Sequence, residues 1–237
     1  MTKDSIPMKY VGFCDILGFS SAVLNDFDGA IAVYREFRRN ITSWPFAERA
    51  QVSVYSDSIL VVSDDLPPVL HAIVALNWAA LLNDWLIRGG IAYGKHWEER
   101  EEGNLFVVSD AIVKAVALEK QIKVPAVAVS DDISLGIEVW APRFQHGVFQ
   151  APLLHFKGLN IVNPFNPFWF KSATMRAKGL LKRHPNHKEK YEWFLSLSEA
   201  VAKDDMLIPE HALNNLLELG VVQKAPDGRS HIADRGT

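Results

Sequence analysis

Phe13-Cys14-Asp15-Ile16-Leu17-Gly18-Phe19-Ser20 is the stretch on which the fold turns. It closes an apolar run with aromatic and valine residues that reads as a strand over Lys9 to Asp15. Gly18 breaks that strand, and Ser20 and Ser21 stand where a hydroxyl can cap a following helix. Helical spacing continues through Ala30 to Arg39, with an interruption expected at Asp28-Gly29. Ala50 to Val62 is rich in Val and Ile and carries Ser56-Asp57-Ser58 in its middle, which reads as two strands joined by a tight turn. Asp64-Asp65 and Pro67-Pro68 then open a long helix to Leu86. Ile87 to Tyr93 is a further strand, whose Gly89-Gly90 pair signals close backbone approach.

Beyond Tyr93, His96 to Asn104 carries Glu98, Glu99, Glu101 and Glu102 and reads as a solvated loop or hairpin tip. Ser109 to Gln121 is a capped helix, Val124 to Val129 a buried strand, and Pro152 to Val162 another strand region. The order βαββαβ, followed by αβ, predicts an α+β fold of the ferredoxin-like plan, with helices packed on one face of the sheet. After Asn163-Pro164 the texture changes to Phe165, Phe168, Trp169 and Phe170 and then to helical segments rich in Lys, Arg and Glu. The expected organisation is a catalytic domain over 1–163 and a helical appendage over 164–237, with a frayed tail from Ala225 onward.

Composition narrows the function classes. The chain is 49% hydrophobic and 22% charged, with a formal charge of -3, which disfavours a nucleic-acid or anionic-membrane coat. A single cysteine, Cys14, excludes an internal disulfide framework and suits a reducing compartment. The most apolar stretch, Val69 to Ile87, is interrupted by His71, Asn77, Asn83 and Asp84 and reads as a buried helix rather than a membrane span. With no leader-like segment behind Met1, the expected location is the cytoplasm, without a membrane or nucleic-acid partner.

Two carboxylates stand at strand ends: Asp15 closes the first strand, and Asp57 occupies the hairpin turn. In a βαββαβ sheet the first strand lies beside the strand of that hairpin, so the two acids can converge from distant positions. Two carboxylates with a backbone carbonyl and no histidine form a hard oxygen site suited to Mg²⁺ or Mn²⁺. Beside it, Leu17 to Ser21 runs into a helix N-terminus, whose open N–H groups favour phosphate. A divalent pair next to an anion cradle is the equipment of phosphoryl transfer. The plainer alternative is that Asp15 caps the next helix and Asp57 makes a turn. Arg88 precedes the glycine pair on a central strand, where a guanidinium meets phosphate or a partner subunit, or else forms a structural ion pair. Period-two alternation puts Ser53, Tyr55 and Asp57 on one strand face, and Phe13 on the face of Asp15.

Phe13 to Ser20, Tyr55-Ser56-Asp57-Ser58-Ile59 and Ile87-Arg88-Gly89-Gly90-Ile91-Ala92-Tyr93-Gly94 together resemble the class III nucleotidyl cyclase catalytic domain. The resemblance runs in order over about residues 9 to 162, including the helix that ends Ala117-Leu118-Glu119. It implies that Asp15 and Asp57 bind two divalent cations, Mn²⁺ or Mg²⁺, with the Ile16 carbonyl contributing to one. It also implies backbone contacts from Gly18, Phe19 and Ser20 to a nucleoside triphosphate, and a homodimer with its sites at the seam.

The departures point within the family. Ser53 stands where purine cyclases carry a long base-reading residue, and their second base contact falls near Phe106. Val113 and Ala117 replace the transition-state Asn and Arg, and Lys157 occupies the region of the phosphate-binding lysine. This pattern most resembles the bacterial pyrimidine nucleotide cyclases of the Pycsar antiphage systems. That implies conversion of UTP or CTP to the 3′,5′-cyclic monophosphate and pyrophosphate, read by a separate cyclic-nucleotide-activated effector. Arg88 with the two aspartates is then the catalytic set, and Phe13, Ser53, Tyr55 and Lys157 join the loop in holding substrate. An adenylyl or guanylyl cyclase, or a nucleotide-sensing module with a degraded site, are the alternatives.

Overall fold

The first strand is longer than the apolar run alone indicates: β1 spans Met8–Leu17 and is followed by α1 (Phe19–Asn25) and α2 (Phe27–Thr42). Next come β2 (Gln51–Tyr55), β3 (Ser58–Ser63) and α3 (Leu66–Leu82). They lead into β4 (Leu86–Glu101), β5 (Asn104–Ser109), α4 (Asp110–Gln121) and β6 (Val127–Val129). The computed structural model describes residues 5–42, 49–141, 143–145, 148–166, 168–203, 207–224 and 230–232. The chain divides into two compact units, Met1–Ile133 and Ser134–Thr237.

The first unit is an α+β fold built on the βαββαβ core, with strand order β2-β3-β1-β4 and β6 parallel on the far side of β4. β1 is antiparallel to both of its neighbours, β3 and β4, and its central position follows from pairing along its length on both edges. The ladder with β4 runs from Met8 opposite Lys95 to Leu17 opposite Leu86.

Helices cover both faces of this sheet, not one. A Cβ at Gly12 would lie 2.9 Å from Ile73 of α3, whereas a Cβ at Gly90 would lie 2.6 Å from the Ala115 carbonyl of α4. Gly90 pairs with Phe13, the residue next to Gly12 on β1, so the two glycines face opposite sides. Each absent side chain lets a helix approach closely. The sequence order says how many helices there are; their sides depend on which small residues open each face.

Several boundaries moved for local reasons. Gly18, at φ 90, is the N-cap of α1, so Ser20 and Ser21 lie inside the helix rather than capping it. The helical break falls at Asp26, whose carboxylate accepts from the Gly29 N–H at 2.9 Å and starts α2 before Asp28-Gly29. α3 keeps its prolines in the first turn, where missing N–H groups cost little, and ends at Leu82 rather than Leu86. Asp84 adopts φ 64 there, and the Trp85 N–H returns to the Ala80 carbonyl, closing the helix. The Glu-rich segment is the paired β4–β5 arm, turning only at Glu102-Gly103. β6 is shorter than the run from Val124.

In the second unit, β7 (Arg143–Gln145) pairs with β8 (Val148–Gln150), and β9 (Leu153–Phe156) with β10 (Leu159–Val162). Lys157 and Gly158, both at positive φ, make the two-residue turn of the second hairpin. Helices α5 (Phe170–Arg183), α6 (Lys188–Ala202) and α7 (Glu210–Glu218) follow, then β11 (Val222–Lys224) paired with β12 (Ser230–Ile232). The units part at Ile133, well before the boundary expected after residue 163. The β9–β10 hairpin meets segments that follow it: the Phe156 ring packs on Trp193 of α6 edge-on at 5.5 Å, and the His155 N–H donates to the carbonyl of Leu207, which lies before α7. Of the tail expected to fray, residues 225–229 and 233–237 lie outside the described residues, whereas Ser230–Ile232 is a paired strand. Phe165 is buried among Phe170 and Phe194, while Phe168 is exposed. No helix among the described residues is long and apolar enough to cross a membrane.

Candidate active site

The register places two rows of side chains across the sheet on the α4 side. Tyr55, Ser58, Asp15 and Arg88 form one row over β2, β3, β1 and β4, and Ser53, Leu60, Phe13 and Gly90 form the next. Four of the expected site residues, Asp15, Arg88, Tyr55 and Ser53, are thereby brought to one face from strands far apart in sequence. Phe13, on the same face, packs against the apolar cluster of Val11, Val62, Ala92, Ala111 and Ala115.

Asp57 joins this edge through the main chain. Its carbonyl accepts from the Ile16 N–H at 2.8 Å, which ties the β2–β3 turn to the end of β1 beside Asp15. Ser56, at φ 56, makes the tight reversal. The Asp57 carboxylate accepts a hydrogen bond from the Ser20 hydroxyl at 2.6 Å. Ser20 thus links α1 to the turn, a side-chain role besides the backbone contact implied for it. Gly18 takes the left-handed conformation an L side chain resists, and Phe19 is buried against Trp85 (5.2 Å, edge-on) and Tyr34 (5.4 Å). The aromatic cluster therefore anchors the loop while leaving its N–H groups at a helix start.

Asp15 does not stand alone. Arg88 Nη2 donates to Asp15 Oδ2 at 3.2 Å and lies 2.6 Å from Glu119 Oε1. Arg88 thus makes the structural ion pair that was one of its two readings. Glu119 is 5% exposed, in the last turn of α4. Sequence reasoning quoted it only as the end of a helix. Its signal was the spacing: Ala111, Ala115 and Glu119 recur every four residues, so an acid continues the buried face of α4. Tyr34 was also missed. Burial raises its hydroxyl pKa and the Asp57 charge raises it further.

The remaining expected residues are distributed as follows. Tyr55 is 58% exposed, so its ring is not core packing. Lys157 belongs to the second unit, where its ammonium donates to Ser196 at 3.1 Å and lies over the Phe156 ring. Val113 and Ala117 are one turn apart on the exposed side of α4. Cys14 is fully buried; burial pushes its thiol well above the usual range, and the Asp15 and Glu119 charges add to the shift. It is a small core residue, as its neighbours in sequence indicated.

As a cation site, the donors fit a hard ion. Among the described residues no group of three or more His, Cys, Asp or Glu side chains could hold a metal. Two carboxylates and the Ile16 carbonyl, all oxygen, leave the remaining positions to water and substrate phosphate, which is how Mg²⁺ is commonly bound.

Solved structures with a similar backbone include a class III adenylyl cyclase-like ATP-binding protein from Pseudomonas aeruginosa, at 10% identity and TM-score 0.41, covering 53% of this chain and 33% of that one. The adenylyl cyclase CyaB from the same organism is similar at 12% identity and TM-score 0.44, covering 68% and 96%. Adenylate cyclases from Trypanosoma brucei in their monomeric state are similar at 13% identity and TM-score 0.45, covering 54% and 75%. No protein-family model and no curated protein matches this chain.

Proposed function

We propose that the chain is a nucleotidyl cyclase that converts UTP, or CTP, to its 3′,5′-cyclic monophosphate and pyrophosphate. The observation that carries the reading is the juncture of Asp15 and Asp57. Two acids forty-two positions apart are held at one sheet edge by the Ile16–Asp57 hydrogen bond, beside a loop that opens into a helix. Bound divalent cations would lower the pKa of the ribose 3′-hydroxyl and neutralise the leaving pyrophosphate. The chain's own part is to orient. Asp15 and Asp57 present carboxylate oxygens from fixed strand and turn positions. Gly18, Phe19 and Ser20 offer main-chain donors to the triphosphate, with Phe19 locked beneath them by Trp85. Tyr55, exposed in the row of Asp15, has a ring and a hydroxyl for the base, and the short Ser53 beside it suits a one-ring base.

The same reading assigns the chain to a homodimer with sites at the seam, a role in antiphage signalling and a separate effector that reads the product. Phe106, Val108 and Val113 are exposed apolar residues of the first unit, in keeping with a covered surface. The setting in this reading is cytoplasmic. One observation favours a second reading, a nucleotide-binding module without turnover. Val113 and Ala117 offer no polar group where the family's transition-state residues stand, and Arg88 is engaged by two acids.

The deciding experiment incubates the purified chain with each of the four nucleoside triphosphates and Mn²⁺, then identifies the products. Cyclic UMP or cyclic CMP with pyrophosphate is expected. Cyclic AMP or cyclic GMP alone would replace the base assignment, and nucleotide binding without any cyclic product would establish the second reading.

A further inference from the structure

Among the described residues Glu119 is the one buried carboxylate, and its own helix gives it no local reason to be an acid. It lies in the last turn of α4, where the partial negative charge of the helix end opposes a carboxylate. Its neighbours on the buried face, Ala111 and Ala115, belong to an apolar cluster. What it meets is Arg88, through the same Nη2 that donates to Asp15: 2.6 Å to Glu119 and 3.2 Å to Asp15.

We propose that Glu119 is a positioning residue for the cation site: by offering the Arg88 charge a second and closer carboxylate, it weakens the hold of Arg88 on Asp15 and so favours a divalent cation there. This rests on the cyclase reading and deepens it. Two observations on the triad bear on the assignment. The Glu119 side chain is 7% exposed and that of Asp15 25%, so burial makes Glu119 the carboxylate that depends more on a counter-charge. Arg88 Nε and Glu119 Oε1 are both buried without a hydrogen-bond partner among the described residues, so Glu119 meets Arg88 through charge alone, whereas Asp15 accepts a hydrogen bond from it.

The charges add in the same direction. Asp15 and Glu119 against Arg88 leave one net negative charge, and Asp57 adds a second, so the balance of these four groups favours divalent cations. Without the Glu119 charge, Arg88 belongs wholly to Asp15, and a positive charge both occupies Oδ2 and repels the incoming ion. The cost then falls on cation affinity, not only on packing.

The test measures Mn²⁺ binding to the full chain by calorimetry, without nucleotide, alongside thermal melting. Glu119→Gln should raise the Mn²⁺ dissociation constant about tenfold while melting cooperatively. Glu119→Asp, which keeps the charge, should stay within about threefold of wild type. The paired variant Arg88→Met with Glu119→Gln removes the competing cation and should bind Mn²⁺ at least as tightly as wild type, although the core is altered. A purely structural role for Glu119 would not produce that recovery. Wild-type binding with an unmoved dissociation constant in Glu119→Gln would overturn this inference alone; so would a paired variant that binds more weakly than wild type, which decides the matter if Glu119→Gln does not fold. Absence of Mn²⁺ binding by the wild-type chain would overturn both this inference and the two-aspartate reading beneath it.

Discussion

Helix α4 covers two unlike regions of one sheet face. Along its first half, Ala111 and Ala115 close on Val11, Val62 and Ala92, all buried and apolar. At its last turn the same helix face presents Glu119 to Arg88 and, through it, to Asp15. Small side chains let strand and helix approach in the first region, and burial there is favourable by itself. In the second, burial of an acid is tolerable only because a guanidinium arrives from β4 to meet it. The difference separates what stabilises this domain from what equips it: apolar contact at one end of α4, compensated charge at the other.

The largest effect should come from the charged region and be one of activity. Asp57→Asn should reduce cyclic nucleotide formation on the order of a thousandfold, since the carboxylate is a proposed cation ligand. The urea midpoint should hardly move, and a product rate near wild type would erase the functional side of the contrast. Arg88→Met should cost about 3 kcal/mol in urea unfolding, because it leaves Glu119 buried without its partner. Adding Glu119→Gln should return much of that loss, and equal losses in the single and paired variants would show that the two charges do not depend on each other.

In the apolar region, Val11→Ala should cost about 2 kcal/mol, from lost burial plus the cavity left under α4. Mn²⁺ affinity should be unchanged in this variant, and a coupled loss would mean that the two regions respond as one. The smallest effect belongs to the start of the helix. The Ser109 hydroxyl accepts from the Ile112 N–H at 3.1 Å, and Ser109→Ala should cost about 1 kcal/mol of stability. A larger cost there would show that α4 is held mainly from its N-terminus rather than by the sheet.

Much of the first unit was legible because its signals are local. A glycine that must adopt positive φ, a Ser-Asp-Ser turn between valine-rich strands and a Ser cap before an amphipathic run each announce their element. The order of those elements then leaves few sheets that can be built. Boundaries were less legible where a single side chain sets them. Asp26 starts α2 through one hydrogen bond, and Asp84 ends α3 by a backbone reversal that no periodicity encodes.

By itself, then, the sequence determined the α+β plan, the central place of β1 and the two acids at its edge, all consequences of local pattern and chain order. Only the tertiary structure decided that α3 and α4 take opposite faces, because that depends on where Gly12 and Gly90 fall in the pairing register. It alone joined Asp15 to Arg88 and Glu119. Period two can predict which way a strand residue faces, and period 3.6 which way a helix residue faces. Whether the two meet at ion-pair distance depends on how far the helix slides along the sheet, and packing sets that distance.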